Sequence, residues 1–219
     1  MHPLDHAVAR VNRAEEHLAD LIRRTALPGG AFDPHKPAKQ IPLVSMASIL
    51  VGEVCYNLRA ALDYLVFELA KLDSGAEQKQ TQFPIADDAS KFNDQSHRLK
   101  GLTRTHVSAI EALQPYKGCE WTRRLRDWSN PDKHRTLVPV QTEYELTVHV
   151  VDQQRLSDFK NMPGAIYAKV ERDGTEVYVK LRLGTAVQFA DDGSPVIQPL
   201  EEILTRVART LEQFRPDFK

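Results

Sequence analysis

The stretch that decides the fold is residues 42–72, PLVSMASILVGEVCYNLRAALDYLVFELAKL. Its first half is apolar almost all round, and its second half carries apolar residues at helical spacing. A helix of that kind is usually buried at the centre of a helical domain. The pattern therefore predicts one long central helix from about Pro42 to Leu72.

Amphipathic segments lie on both sides of this helix. Apolar residues at steps of three and four predict a first helix that starts near Leu4 and ends before Pro28. Further helices are expected at about 104–113 and 120–129, the latter interrupted by Asn130-Pro131. A last helix is expected to open at Pro199, with acidic residues in its first turn. Residues 73–100 are polar and irregular, with these expected docking points: Phe83, Ile85 and Phe92.

After the fourth helix the period of the apolar residues changes from 3.6 to 2. Alternation predicts four short strands, at about 143–150, 166–171, 177–183 and 187–189. Asp173-Gly174 is a hairpin turn signal. One apolar and one polar face predict an antiparallel meander that packs on the helices.

The sequence therefore predicts an α+β fold: an N-terminal helical bundle of about four helices, a small antiparallel β-meander and a C-terminal helix. We assign residues 1–136 to the helical body, 137–197 to the meander and 198–219 to a helix that returns to the bundle. The three parts are expected to form one compact unit.

Composition is that of an ordinary globular protein, with 42% hydrophobic residues, 27% charged residues and a formal net charge of −1. Because nucleic-acid coating proteins usually carry a basic excess, any polyanion site must be local. The two cysteines form no Cys-x-x-Cys pair and no Glu-x-x-His motif occurs, so no metal or other cofactor is predicted. The longest uncharged apolar run, 41–52, is too short for a membrane helix. We expect a soluble, cytoplasmic protein with no membrane partner.

The segment densest in chemistry-bearing groups is 123–135, RRLRDWSNPDKHR. Flanking cations lower the pKa of a histidine, and arginines stabilise charge that develops on a phosphodiester. We therefore predict His134 and Asp132 as acid–base candidates. The predicted nucleic-acid contacts are Arg123, Arg124, Arg126, Lys133 and Arg135. The alternative is a solvated helix face with a capped turn, which charged runs commonly are.

A second candidate is a polar set on the central helix, predicted to form a buried polar network: Glu53, Asn57, Arg59, Asp63 and Tyr64. Arg59 and Asp63 are spaced for an i,i+4 ion pair. Polar groups on a buried helix need partners, because each unpaired group costs about 1–3 kcal/mol. The set either lines a site together with the His134 segment or fixes how the helices pack, and the sequence favours neither.

Four motifs resemble those of a group of uncharacterised bacterial proteins of similar length. They are residues 57–64 (NLRAALDY), 83–85 (FPI), 113–116 (LQPY) and 130–135 (NPDKHR). The resemblance spans most of the chain and implies no activity.

A weaker resemblance is to HEPN domains, helical bundles of which many are dimeric, metal-independent endoribonucleases with an Arg-x(4–6)-His motif. Asn130 and His134 match the polar residue and the histidine of that motif. Ser129 stands where the arginine is expected, and seven residues separate Arg126 from His134. Pro131 would break the helix that carries the motif. The resemblance implies a HEPN-like fold, compatible with binding without cleavage.

Three hypotheses follow. The first is a HEPN-like, RNA-directed protein, nuclease or binder, of a defence or toxin type, and a homodimer. It requires the basic side chains of the 123–135 segment to converge in one cleft. The second is a non-catalytic interaction or oligomerisation module with an extensive apolar interface. The third is a small-ligand binder, which requires a concave pocket beside the Glu53, Asn57 and Tyr64 face.

Overall fold

The computed structural model describes residues 2–25, 40–132, 139–151, 166–172, 175–190 and 193–218. Within these residues the chain forms six α-helices and three β-strands. The helices are α1 (Asp5–Thr25), α2 (Gln40–Ser74), α3 (Ala89–Asp94), α4 (Arg104–Glu111), α5 (Glu120–Asp132) and α6 (Ile197–Phe214). The strands are β1 (Val140–Val151), β2 (Ile166–Arg172) and β3 (Thr175–Phe189). The combination of helices with a small antiparallel sheet confirms the coarse α+β prediction.

The predicted central helix is present as α2, which extends two residues beyond the predicted limits at each end. Its leucines at helical spacing have no exposed surface: Leu58, Leu62, Leu65 and Leu69. Full burial of one such side chain stabilises the fold by about 1.5–3 kcal/mol. The apolar residues along this side of α2 are thus buried.

Helix α1 lies antiparallel to α2. The ring of His6 stacks on Tyr64 with centroids 6.2 Å apart, and Arg10 Nη1 donates to Asn57 Oδ1 at 3.2 Å. Further along α1, His17 Nε2 lies 3.9 Å from a carboxylate oxygen of Glu53. Residues later in α1 contact residues earlier in α2, so the two helices run in opposite directions.

Helices α5 and α6 contact each other through apolar faces. On α5, Trp121 and Leu125 are buried, and the predicted stripe of α6 is buried at Leu200, Ile203, Val207, Leu211 and Phe214. Helix α5 continues to Asp132, so the predicted interruption at Asn130-Pro131 is wrong. In the last turn a proline removes only one helical hydrogen bond, which a helix end tolerates.

The loop between α2 and α4 is less irregular than predicted, because it contains α3 and a 3₁₀ turn at Ser96–Leu99. Asp88 caps α3 by accepting a hydrogen bond from the backbone N–H of Lys91 at 2.8 Å. The three predicted docking residues are all buried: Phe83, Ile85 and Phe92.

The sheet is antiparallel as predicted, but its strand order is β1-β3-β2, which is not that of a meander. The segments predicted as the third and fourth strands form one strand, β3. All twelve residues of β1 pair with β3, from Val140 opposite Phe189 to Val151 opposite Tyr178. The seven residues of β2 pair with the other edge of β3. Strand β3 is therefore the central strand of the sheet.

The chain divides into two compact units. One comprises Met1–Asp20, Ser48–Val138 and Val196–Lys219, and the other comprises Leu21–Ala47 and Pro139–Pro195. The predicted domain limits at residues 136 and 197 stay predictions. In the part of the chain that the structure describes, no helix combines the length and the apolar character needed to cross a membrane.

Candidate functional site

The predicted polar residues of α2 hold the backbone of the Phe83-Pro84-Ile85 motif. The N–H of Phe83 donates to Asp63 Oδ1 at 2.9 Å, and the carbonyl of Phe83 accepts from Arg59 Nη2. Arg59 Nη2 also lies 3.7 Å from Asp63 Oδ1, so the predicted i,i+4 ion pair is present. Together the two side chains satisfy both polar groups of one buried peptide residue.

Gln114 of the Leu113–Tyr116 motif holds the next part of the same segment. Its side chain has no exposed surface. Its Oε1 accepts from the N–H of Ala86 at 2.9 Å, while Nε2 donates to the carbonyls of Pro84 (3.0 Å) and Ile110 (3.1 Å). Three of the four motifs therefore belong to one hydrogen-bonded network. This arrangement favours the packing interpretation of Arg59 and Asp63.

The guanidinium of Arg59 is nevertheless not fully satisfied. Arg59 is only 6% exposed, and its Nη1 is a buried donor without a hydrogen-bond partner among the residues that the structure describes. Burial lowers the pKa of Arg59, the carboxylate of Asp63 opposes that effect, and the positive charges of Arg98 and Arg126 reinforce it. The net result is a lowered pKa, of which burial is the main cause.

Other members of the predicted network lie differently. Asn57 is buried, accepts from Arg10 and donates to the carbonyl of Glu53 at 2.8 Å. Glu53 has a side chain 48% exposed and Tyr64 is 37% exposed, so the prediction that these two are buried is wrong. The reason is that α2 turns this face toward solvent beside α1, where Arg10 lies over the rings of Tyr56 and Tyr64.

The arginines of α5 are each engaged by carboxylates. Arg126 Nη1 lies 2.9 Å from Asp87 Oδ1, and Arg123 Nε lies 3.4 Å from the same oxygen. Arg124 Nη1 lies 3.4 Å from Glu202 on α6. Burial lowers the pKa of Arg126, but hydrogen bonds to Asp127 and Asp87 outweigh it, so the net pKa is raised. Arg123 and Arg126 converge on Asp87, while Arg124 points to α6.

The acid–base candidates cannot be placed with these arginines. The backbone of Asp132 ends α5, but its side chain lies outside the described residues. Lys133, His134 and Arg135 also lie outside them. The predicted roles of these four residues therefore stay predictions.

Three open clefts adjoin at the 77–82 segment, and Gln80 lines all three. The first, of about 470 Å³, is lined by Asp63, Gln80, Thr81, Gln82, His97 and Arg98. The second, of about 490 Å³, is lined by Asp63, Tyr64, Phe67, Gln78, Lys79, Gln80 and Thr81. A concave surface thus exists beside Tyr64, as the small-ligand hypothesis requires. Glu53 and Asn57 do not line it.

A contact of one histidine, His106, with two aspartates was not predicted from the sequence. His106 Nδ1 lies 2.7 Å from Asp73 Oδ2, and its Nε2 lies 3.5 Å from Asp217 Oδ2. The N–H of Thr103 donates to Asp73 at 2.6 Å. Burial alone raises the pKa of Asp73, but the hydrogen bonds from Thr103 and His106 outweigh it, so the net pKa is lowered. Asp73, His106 and Asp217 are far apart in sequence, so no local spacing could reveal that they meet.

No group of three or more histidine, cysteine, aspartate or glutamate side chains that could hold a metal ion occurs among the residues described. Comparison of the chain with protein-family models, with curated proteins and with solved structures finds no match.

Proposed function

We propose that this protein binds RNA through phosphate groups at the arginines of α5, with Arg123 and Arg126 on the side of Asp87 and Arg124 on the side of α6. The observation that carries the proposal is the exposure of two neighbouring arginines and their ion pairs. The side chains of Arg123 and Arg124 are 42% and 47% exposed; Arg123 contacts Asp87 and Glu120, and Arg124 contacts Glu202. A guanidinium has five N–H donors, so these contacts do not use all the donors of either exposed side chain.

The acidic partners orient these arginines but also limit the affinity. Asp87 and Glu202 compensate part of the positive charge, and exposed ion pairs contribute at most about 1 kcal/mol each. Binding is therefore expected to be moderate, sequence-tolerant and strongly dependent on salt. Moderate binding at a local site is consistent with the net charge of −1, whereas a protein that coats a polyanion would carry a basic excess.

The finer form of the proposal is a HEPN-like helical bundle of about four helices that acts as a homodimer. A nuclease form would use His134 with Asp132 for cleavage, and Lys133 and Arg135 for further phosphate contacts. No metal is needed for acid–base chemistry of that kind.

The test is binding of fluorescent single-stranded RNA over a range of salt concentrations. The variants are Arg123→Gln with Arg124→Gln, and Arg209→Gln as a matched control, since Arg209 is an exposed arginine of α6. The double variant should weaken binding and reduce the slope of log K against log salt by about 1.4, or about 0.7 for each lost phosphate contact. The Arg209→Gln variant should bind like the wild type.

Wild-type protein that does not bind RNA at low salt would contradict the proposal, as would equal losses in all variants. Incubation of RNA with the wild type and with His134→Ala, in the presence of a metal chelator, distinguishes a metal-independent nuclease from a binder. Cleavage that only the His134→Ala variant loses would support a nuclease, and retained binding without cleavage would support a binder.

A second candidate function is a protein-interaction module, favoured by the exposed apolar residues on α2. Ile49 is 49% exposed and Tyr56 is 46% exposed, and the two lie two helical turns apart on one face. Contiguous apolar patches on a surface mark interfaces, and we infer that these two side chains belong to one. Light scattering of the wild type and of Tyr56→Glu would test it: loss of a dimer in the variant supports an interface there, and a monomeric wild type argues against self-association.

A further inference from the structure

Two aromatic side chains of α2 line the second cleft, whose volume is about 490 Å³. Tyr64 and Phe67 are three residues apart, so they share one side of the helix. Tyr64 is 37% exposed and Phe67 is half-buried, so both keep surface that a ligand could cover. Sites for small ligands are concave, measure about 300–1,000 Å³ and combine apolar walls with a few polar groups. The second cleft has the size and the aromatic wall of such a site.

The ring of Tyr64 is held by α1. His6 stacks on it with centroids 6.2 Å apart and an angle of 30° between the ring planes, and the guanidinium of Arg10 lies 5.9 Å from its centroid. Neither His6 nor Arg10 lines the cleft. The ring is therefore oriented by contacts that a ligand in the cleft would not replace. A ring that is already oriented loses little freedom when a ligand packs on it.

The rest of the lining is a short turn that is held on both sides. Gln78 Nε2 donates to Ser74 Oγ at 3.0 Å, and the N–H of Gln82 donates to the carbonyl of Arg98 at 3.1 Å. Between these two points, three side chains make no hydrogen bond or ion pair with any residue that the structure describes: Lys79, Gln80 and Thr81. All three line the cleft. Their polar groups are thus available to a ligand.

The backbone of this turn is strained at Gln80. Its φ of 64° lies in the left-handed region, and Gln80 is the one non-glycine residue with a positive φ among those described. A side chain in that region costs conformational energy, and strain of this kind tends to be kept at binding sites. Gly101 leaves room for the turn, since a Cβ there would lie 2.7 Å from Cγ of Gln78. The turn is therefore a preformed part of the cleft.

The charges of the lining limit the class of ligand. Lys79 is the one cation of this lining, and Asp63 is the one carboxylate. A lysine ammonium attracts an anion as a point charge. Because Asp63 lines the same cleft, it repels a doubly charged ligand more than a singly charged one. A carboxylate is therefore favoured over a phosphate dianion.

We infer that the second cleft binds a small planar aromatic carboxylate. The ring of the ligand packs on Tyr64 and Phe67, and its carboxylate contacts Lys79. The amide of Gln80 and the hydroxyl of Thr81 bind polar groups at the edge of the ligand. The site is separate from the arginines of α5, because none of them lines the cleft. RNA binding at α5 and ligand binding in this cleft can therefore each fail while the other is present.

The test is a titration of indole-3-acetate with the whole protein, followed by NMR of the ligand. Two related compounds are matched controls: indole-3-acetamide keeps the ring without the charge, and cyclohexylacetate keeps the charge without the aromatic ring. The wild type should bind indole-3-acetate about fivefold more tightly than the amide, as expected for one exposed ion pair. It should bind indole-3-acetate about two- to tenfold more tightly than cyclohexylacetate, as expected for contacts between aromatic rings.

Each preference has its own protein variant. Lys79→Gln should bind indole-3-acetate and the amide equally, whereas Lys91→Gln should keep the preference, since Lys91 is an exposed lysine of α3 that does not line the cleft. Tyr64→Leu should reduce the preference for indole-3-acetate over cyclohexylacetate. Tyr64→Phe keeps the aromatic ring and should retain that preference. Because Lys79 is exposed, its variant tests the site without disturbing the fold.

Gln80→Gly distinguishes a binding role of the turn from a structural one. Glycine removes the strain, so the urea midpoint of unfolding should be equal to that of the wild type or higher, while loss of the amide should weaken binding of indole-3-acetate. The inference would be overturned by a wild type that binds none of the three compounds or all three equally. A loss of preference in Lys91→Gln as large as that in Lys79→Gln would also overturn it.

Discussion

Two aspartates of α2 do similar structural work with different partners. Asp63 accepts the N–H of Phe83 at 2.9 Å and lies beside the guanidinium of Arg59. Asp73 accepts the N–H of Thr103 at 2.6 Å and lies 2.7 Å from a ring nitrogen of His106. In both places a carboxylate on the long helix fixes the backbone of a later segment and holds a basic side chain.

The difference lies in the basic partner. Asp63 lies beside a guanidinium, which stays protonated over the whole physiological range. Asp73 accepts hydrogen bonds from Thr103 and His106, which lower its pKa. The contribution of Asp73 to stability is therefore expected to depend on pH.

The largest expected effect is loss of Asp63. Asp63→Ala leaves Arg59 buried without its carboxylate and leaves the N–H of Phe83 without its acceptor. Breaking a buried ion pair from one side costs about 3–5 kcal/mol, and because Asp63 is 28% exposed we expect about 3 kcal/mol. Urea unfolding measures it, with Asp94→Ala as the control, since Asp94 is an exposed aspartate of α3.

A double variant sharpens this prediction. Arg59→Met with Asp63→Leu removes both charges, so no unpaired charge stays buried. Its loss of unfolding free energy should be smaller than the sum of the two single losses. A strictly additive result would mean that the pair does not act as a unit.

The sequence predicts the helices better than the sites, and particular residues explain why. The leucines of α2 repeat at a helical period, so burial of one side is a local property that the sequence reveals. The Arg59–Asp63 pair is also local, since its members lie four residues apart. Their partner Phe83 and the Asp73–His106 contact depend on how distant segments meet. The central position of β3 likewise depends on pairing between strands, which alternation alone does not determine.

The second prediction concerns Asp73 and pH. Because its folded-state pKa lies below the ordinary 3.8, its ionised form contributes stability at neutral pH. That contribution is complete above the unfolded-state pKa and disappears as pH falls through the lower folded-state pKa. Asp73→Asn keeps the shape of the side chain but should cost about 1 kcal/mol at pH 7.

Urea unfolding of the wild type and of Asp73→Asn at a series of pH values measures this contribution. The difference between the two should be constant above about pH 5 and should shrink toward about pH 3. A difference that does not change over this range would show that the charge of Asp73 is unimportant. In that case the contact with Thr103 would be an ordinary hydrogen bond.

The smallest expected effect belongs to a third carboxylate, whose partner is a neutral donor. Burial of the Tyr116 hydroxyl raises its pKa, and its hydrogen bond to Glu111 raises it further, to about 12. The hydroxyl donates to Glu111 Oε1 at 2.8 Å, and deprotonation would place two negative charges side by side. Because the folded-state pKa is raised, this contribution to stability is present below the unfolded-state value of about 10 and is lost as pH rises toward 12.

Titration of tyrosinate absorbance in the folded protein tests this expectation. The wild type should contain a component near pH 12 that is absent in Tyr116→Phe. Glu111→Gln should move that component to lower pH, because a neutral amide does not repel the phenolate. A Glu111→Gln variant that titrates like the wild type would mean that burial alone holds the proton on Tyr116.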